Sequence, residues 1–342
     1  MRKRYVIGLV LAAAIALAFT PRVKAQMAGP KPLVLTGVIH LDGVKGRFDH
    51  FCYGKRNVFV SALGNNTIEV VSFAGSTVVH SITGDPRPEG LVYAPQSDEL
   101  FAGSEYGKLY IFNATTYKLI KTIEFGGPGS VDDLRYDEAT RRVYVSYGED
   151  ARGALAMVDA MTNQRLKKEY KLGAHPEAFE LETSGPHIYV NLPDLKQIAV
   201  INRKTGVIKR WPMTVDQHNF PMALDETDHR LFVGTHNPAR LAVFDTNSGR
   251  LIADLPSVQD TDDLYYDPDR KRIYEPGGAG YISVYQQIDP DHYFLLANVP
   301  SAIGARTAGY WGRLIKGFDR FYLAVPEGID HGAQMWIYTV QD

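Results

Sequence analysis

Carboxylates recur along this chain at a nearly constant interval. Asp49, Glu89, Asp132, Glu177 and Asp262 occupy matching places in successive segments, and the same place holds Pro221 in one segment and Arg306 in another. The next position holds His50, Gly90, Asp133, Ala178, Met222, Asp263 and Thr307, so two segments carry an aspartate doublet. Five acids facing one arginine around a common opening would make a concentrated negative field. Asp49, His50, Asp133, His175, Glu177, Asp263 and Arg306 are therefore candidate ligand-binding residues. Three histidines, His175, His218 and His236, fall near the same end of neighbouring segments; with Asp262 or Asp263 they would supply three nitrogens and an oxygen. That set suits zinc or another divalent metal with room for a water, and a metal-bound water supports hydrolysis or lyase chemistry. In such a site Asp132 and Asp262 are the candidate catalytic carboxylates, and Arg306 would hold a substrate anion. Each signal also has an ordinary structural reading. Glutamates in Pro-Glu turns serve the connection, doublets cap turns, an arginine neutralises nearby acids, and loop histidines are solvated.

The elements that must position these residues show in seven aromatic residues, Phe59, Phe101, Tyr144, Tyr189, Phe232, Tyr274 and Tyr322, spaced by 42, 43, 45, 43, 42 and 48 positions. A period of that size marks structural repeats. Runs beginning at Ile68, Leu109, Leu155, Ile198, Leu241, Ile282 and Met335 repeat independently and alternate apolar with mixed residues, as strands packed between sheets do. Tight reversals follow, as in Asn202-Arg-Lys-Thr-Gly206 and Asp245-Thr-Asn-Ser-Gly249. Helical signals are nearly absent. The pattern predicts an all-β chain, a seven-bladed β-propeller with four-stranded antiparallel blades. The seventh unit stops after its third strand, and the run Pro32–Leu41 has the pattern of the missing fourth. This N-terminal strand should close the last blade, which makes residues 26–342 one domain.

Segments such as RVYVSYG, HIYVNLP and RLFVGTH, followed by IAVINRKTG or LAVFDTNSG, resemble the YVTN repeat of YncE-like seven-bladed propellers. The likeness spans residues 31 to 342. It implies the fold and leaves the activity open, because propellers host binding modules and enzymes alike. Tyr274-Glu-Pro-Gly-Gly in the sixth unit and the extra residues between Tyr310 and Arg320 in the seventh depart from the repeat.

Residues 1–25 read as a signal peptide: Arg2-Lys3-Arg4 precede an apolar run from Tyr5 to Phe19, and Val23-Lys24-Ala25 offers a cleavage site. The run is shorter than the roughly 20 residues a membrane span needs. Its removal takes the formal charge from −2 to −7. That charge gives no reason to expect a nucleic-acid partner. Cys52 is the single cysteine, so no intrachain disulfide forms, and it should be a small buried hydrophobe. Tyr106, Tyr147 and Trp311 are the aromatic residues placed to reach a ligand. The expected protein is exported, periplasmic or secreted, and binds a small molecule or a partner protein at the channel mouth. The alternative is a metal-dependent hydrolase or lyase at the same face.

Overall fold

A computed structural model describes residues 31–127, 129–214, 217–312 and 319–342. Residues 1–25, read above as a signal peptide, and most of the insertion in the seventh unit lie outside the described residues. The chain folds as a seven-bladed β-propeller of antiparallel sheets. The innermost strands are Phe51–Gly54, Pro88–Ala94, Val131–Asp137, Phe179–Leu181, Gln217–Asp225, Tyr265–Asp267 and Ala308–Tyr310. Each blade then runs outward in chain order, so the innermost strands neighbour one another around a central channel.

Aromatic periodicity becomes packing between blades. Phe59, Phe101, Tyr144, Tyr189, Phe232, Tyr274 and Tyr322 hold the same register in their second strands, opposite Cys52, Val92, Arg135, Glu180, Ala223, Tyr265 and Gly309. All seven are buried. Each joins a core cluster shared with the following blade: Phe59 packs with Leu91, Leu100 and Ala102, and Tyr322 packs with Phe51, Val58 and Val60 of the first blade. Burying one such ring contributes roughly 1.5–3 kcal/mol, so the seven together hold the disc against opening at any one interface.

Closure follows the expected route. Leu33–His40 pairs antiparallel with Gln334–Val340, from Leu33 opposite Val340 to His40 opposite Gln334, with one slip between Leu35 and Gly37. The outer strand of the third blade differs from the simple repeat, being split into Gln164–Arg165 and Tyr170–Lys171. Arg165 explains the break: its guanidinium lies 4.3 Å from the Phe125 ring centre and 4.8 Å from that of Tyr147, and it pairs with Glu169 at 3.0 Å. Cation–π contact and ion pair compensate the lost ladder bonds.

Candidate functional site

The strand starts of six blades each place one polar residue at one end of the channel; the fifth has Pro221 there. Asp49, Glu89, Asp132, Glu177, Asp262 and Arg306 line a single mouth cavity of about 320 Å³, together with Arg47, His50, Phe220, His236 and Asp260. Close backbone approach makes this ring tight. A Cβ on Gly90 would stand 1.8 Å from the Asp132 carbonyl oxygen, so only glycine lets the segment bearing Glu89 come this close to that bearing Asp132. Gly153 acts likewise beside His175, where a Cβ would meet the Ala174 carbonyl oxygen at 1.6 Å.

Charges in the mouth are unevenly satisfied. Arg306 donates through Nη1 to Asp260 Oδ1 at 2.7 Å, and its Nε lies 2.8 Å from Asp262 Oδ2, so both edges of its guanidinium meet carboxylates. In this arrangement Arg306 neutralises neighbouring acids, the ordinary structural reading of this arginine. Arg47 pairs with Asp49 at 3.2 Å. His175 Nε2 lies 3.2 Å from Asp132 Oδ2 and 3.8 Å from Glu177 Oε1. Burial opposes a charge on this imidazole, but the hydrogen bond and charge of Asp132, then Glu177, push it up to about 10. Asp132 is held well below the usual carboxylate range: burial works the other way and is outweighed by His175 and His50. Burial and the charges of Asp132 and Asp49 drive Glu89 well above its ordinary range, and burial with the charge of Asp132 does the same for Glu177. Asp262 is raised to about 6, chiefly by burial, and Asp49 is raised by burial and Asp132. A cation placed among these carboxylates would favour their charged forms.

Alternation along the strand splits each aspartate doublet. Asp132 and Asp262 face the mouth. Asp133 and Asp263 line a second cavity of about 370 Å³ on the other side of His50. Both also staple neighbouring blades: Asp133 Oδ2 accepts the Phe179 N–H at 3.2 Å, and Asp263 Oδ2 accepts the Ala308 N–H at 2.7 Å. His50, Ala178 and Asp262 border both cavities. The second cavity is also walled by Tyr53, Tyr93, Arg135, Glu180, Tyr265, Tyr266 and Trp311, so it joins Trp311 to the expected ligand-binding residues His50, Asp133 and Asp263. Its sequence signal is the tyrosines of the innermost strands, Tyr53, Tyr93 and Tyr266, which lie outside the ring of acids.

The proposed histidine quartet does not gather. His236 is hydrogen-bonded through Nε2 to the Thr261 carbonyl, and its ring stacks on Phe220 at 4.3 Å. His218 is exposed and borders a separate side cavity with Glu149, Asp150 and His175. Among the described residues, the group whose ligand atoms converge is Asp132, His175 and Glu177, not His175, His218, His236 and Asp262. With the quartet dispersed, the hydrolase or lyase alternative gains no support from it. Tyr147 is likewise corrected: it is buried, and its hydroxyl donates to Glu169 at 2.8 Å. Tyr106 is 58% exposed. Cys52 is buried and unpaired, its thiol pushed far up by burial.

Fold and channel together define a seven-bladed β-propeller with a carboxylate-rich mouth. No protein-family model matches the chain, and no curated protein matches it. Among solved structures it is similar to a chain of "Crystal Structure of Mitotic Checkpoint Complex", with a TM-score of 0.75, 12% identity and 99% of each chain covered. At that identity the likeness shows the fold alone. No helix among the described residues is long and apolar enough to cross a membrane.

Proposed function

We propose that this chain is an exported propeller of the YVTN/YncE-like kind, periplasmic or secreted, that binds a ligand or a partner protein at the channel mouth. Export is supported by the basic, apolar and small-residue order of residues 1–25. The YVTN-like identity is supported by the repeated strand segments and their turns. The observation that carries the binding role is the imbalance of the mouth. Asp49, Glu89, Asp132, Glu177, Asp260 and Asp262 gather there against Arg47, Arg306, His50 and His175, and the raised Glu89 and Glu177 mark a shortage of cationic partners for the crowded acids. A ligand or partner surface presenting a cationic group complements that field.

Capture experiments on two proteins test this. Wild type and an Asp49→Asn, Glu89→Gln, Asp262→Asn variant are immobilised in parallel and challenged with the same extract in EDTA. A species retained by wild type and lost from the folded variant supports the proposal. Retention that is identical on both, or none on either, overturns it.

A further inference from the structure

One wall of the mouth is built as a metal site. We propose that Asp132, His175 and Glu177 bind one first-row divalent cation, of the Mn2+ or Zn2+ kind. The inference deepens the mouth-binding reading and rests on it, because it names one ion that the negative field collects.

Four observations converge on this wall. One ligand atom from each of Asp132, His175 and Glu177 lies within 4.8 Å of the other two. His175 Nε2 is 3.2 Å from the Asp132 oxygen and 3.8 Å from the Glu177 oxygen. An ion about 2.1 Å from each atom would then subtend angles of about 100° and 130° at its centre, bracketing the tetrahedral value. The imidazole is also oriented as a ligand. Its Nδ1 lies 2.8 Å from the Gly148 carbonyl oxygen, which can only accept, so Nδ1 carries the hydrogen and Nε2 faces the carboxylates. Metal-binding histidines are held in this way by a carbonyl or carboxylate behind the ring. Finally, Glu89 is 6% exposed and lines the same cavity as Asp132 and Glu177, and its Oε2 is buried with no hydrogen-bond partner. A buried carboxylate oxygen without a partner is costly, and a cation in the same cavity offsets that cost. The mixture of one imidazole with carboxylates suits Mn2+ or Zn2+ better than Ca2+, which takes oxygen ligands.

Protein stripped with EDTA, then dialysed free of it, is titrated with Mn2+, Zn2+ and Ca2+ by calorimetry. The expected result is one Mn2+ or Zn2+ per chain, weakened at least tenfold in His175→Gln and Glu177→Gln and unchanged in His218→Ala. Absence of stoichiometric binding, or affinity indifferent to His175, overturns the inference. Should the variants fail to fold, electron spin echo spectra of Mn2+ on wild type decide: coupling to an imidazole nitrogen is expected, and its absence overturns the assignment. The capture experiment in EDTA reads the mouth without any metal, so the two proposals fail separately.

Discussion

His50 Nδ1 stands 3.3 Å from Asp263 Oδ1, a contact between residues 213 positions apart that ties the first blade to the sixth across the channel. The other ring nitrogen lies 3.7 Å from Asp49 and 3.8 Å from Asp132, so three carboxylates from three blades surround one imidazole. Burial opposes its charge, yet the hydrogen bonds of Asp132 and Asp263 and the nearby charges raise His50 well above the ordinary histidine value. A group raised in the folded state contributes stability fully below its unfolded pKa, about 6.5, and loses it as pH rises through the folded value. His50→Gln should therefore cost on the order of 1.5–3 kcal/mol at pH 6. The gap from wild type in urea melts should shrink at alkaline pH; a gap independent of pH would refute the charged strut.

Glu275 gives a pH effect through a buried acid. It is fully buried in the sixth blade, its Oε1 lacks a partner, and burial raises it to about 8 despite the hydrogen bond from Ser257. The folded chain thus holds a proton that the unfolded chain releases near 4.5. Stability falls as pH rises from about 4.5 to about 8, by at most about 1.4 kcal/mol per unit from this group. Glu275→Gln should flatten that slope and melt above wild type at pH 8, as read by thermal denaturation across a pH series.

Gly90→Ala tests the close approach that builds the mouth. The new methyl would stand 1.8 Å from backbone, at the Asp132 carbonyl oxygen, which no side-chain rotation relieves. Overpacking of this kind costs on the order of 1–3 kcal/mol or more. Thermal melts should show the loss; Gly43→Ala, in a turn whose Cβ position is open, should cost less through its φ of 80° alone.

Deleting residues 31–41 removes the strand that closes the seventh blade, and with it the burial of Leu33 and Ile39. Each net hydrogen bond lost costs about 0.5–1.5 kcal/mol, and the exposed Gln334–Val340 edge invites self-association. Lower melting temperature and concentration-dependent aggregation should appear together; an unaltered melt would contradict closure through this strand.

The ring of acids was legible because one blade position recurs at one register, so counting along the repeat placed Asp49, Glu89, Asp132, Glu177, Asp262 and Arg306 together. The aromatic ladder was legible for the same reason, each member meeting the following blade. His218 and His236 were not, because they stand at the ends of the fifth blade's strands, where direction is set by local contacts such as the stacking of His236 on Phe220. Glu275 was not legible, because it stands in a second strand away from the ring position and only packing buries it. Glu177 was named as a ligand-binding residue but not as a metal ligand, since its distance from His175 depends on how the third and fourth blades meet.

The pairing of Leu33–His40 with Gln334–Val340 also has a temporal meaning. A strand made among the first has its partner about 300 positions away, so as the chain grows it waits bare while the rest is made. Six blades can assemble as they appear, but the disc stays a split washer until the final residues arrive, and a chain interrupted before them leaves both lips of the gap open to a stranger's strand.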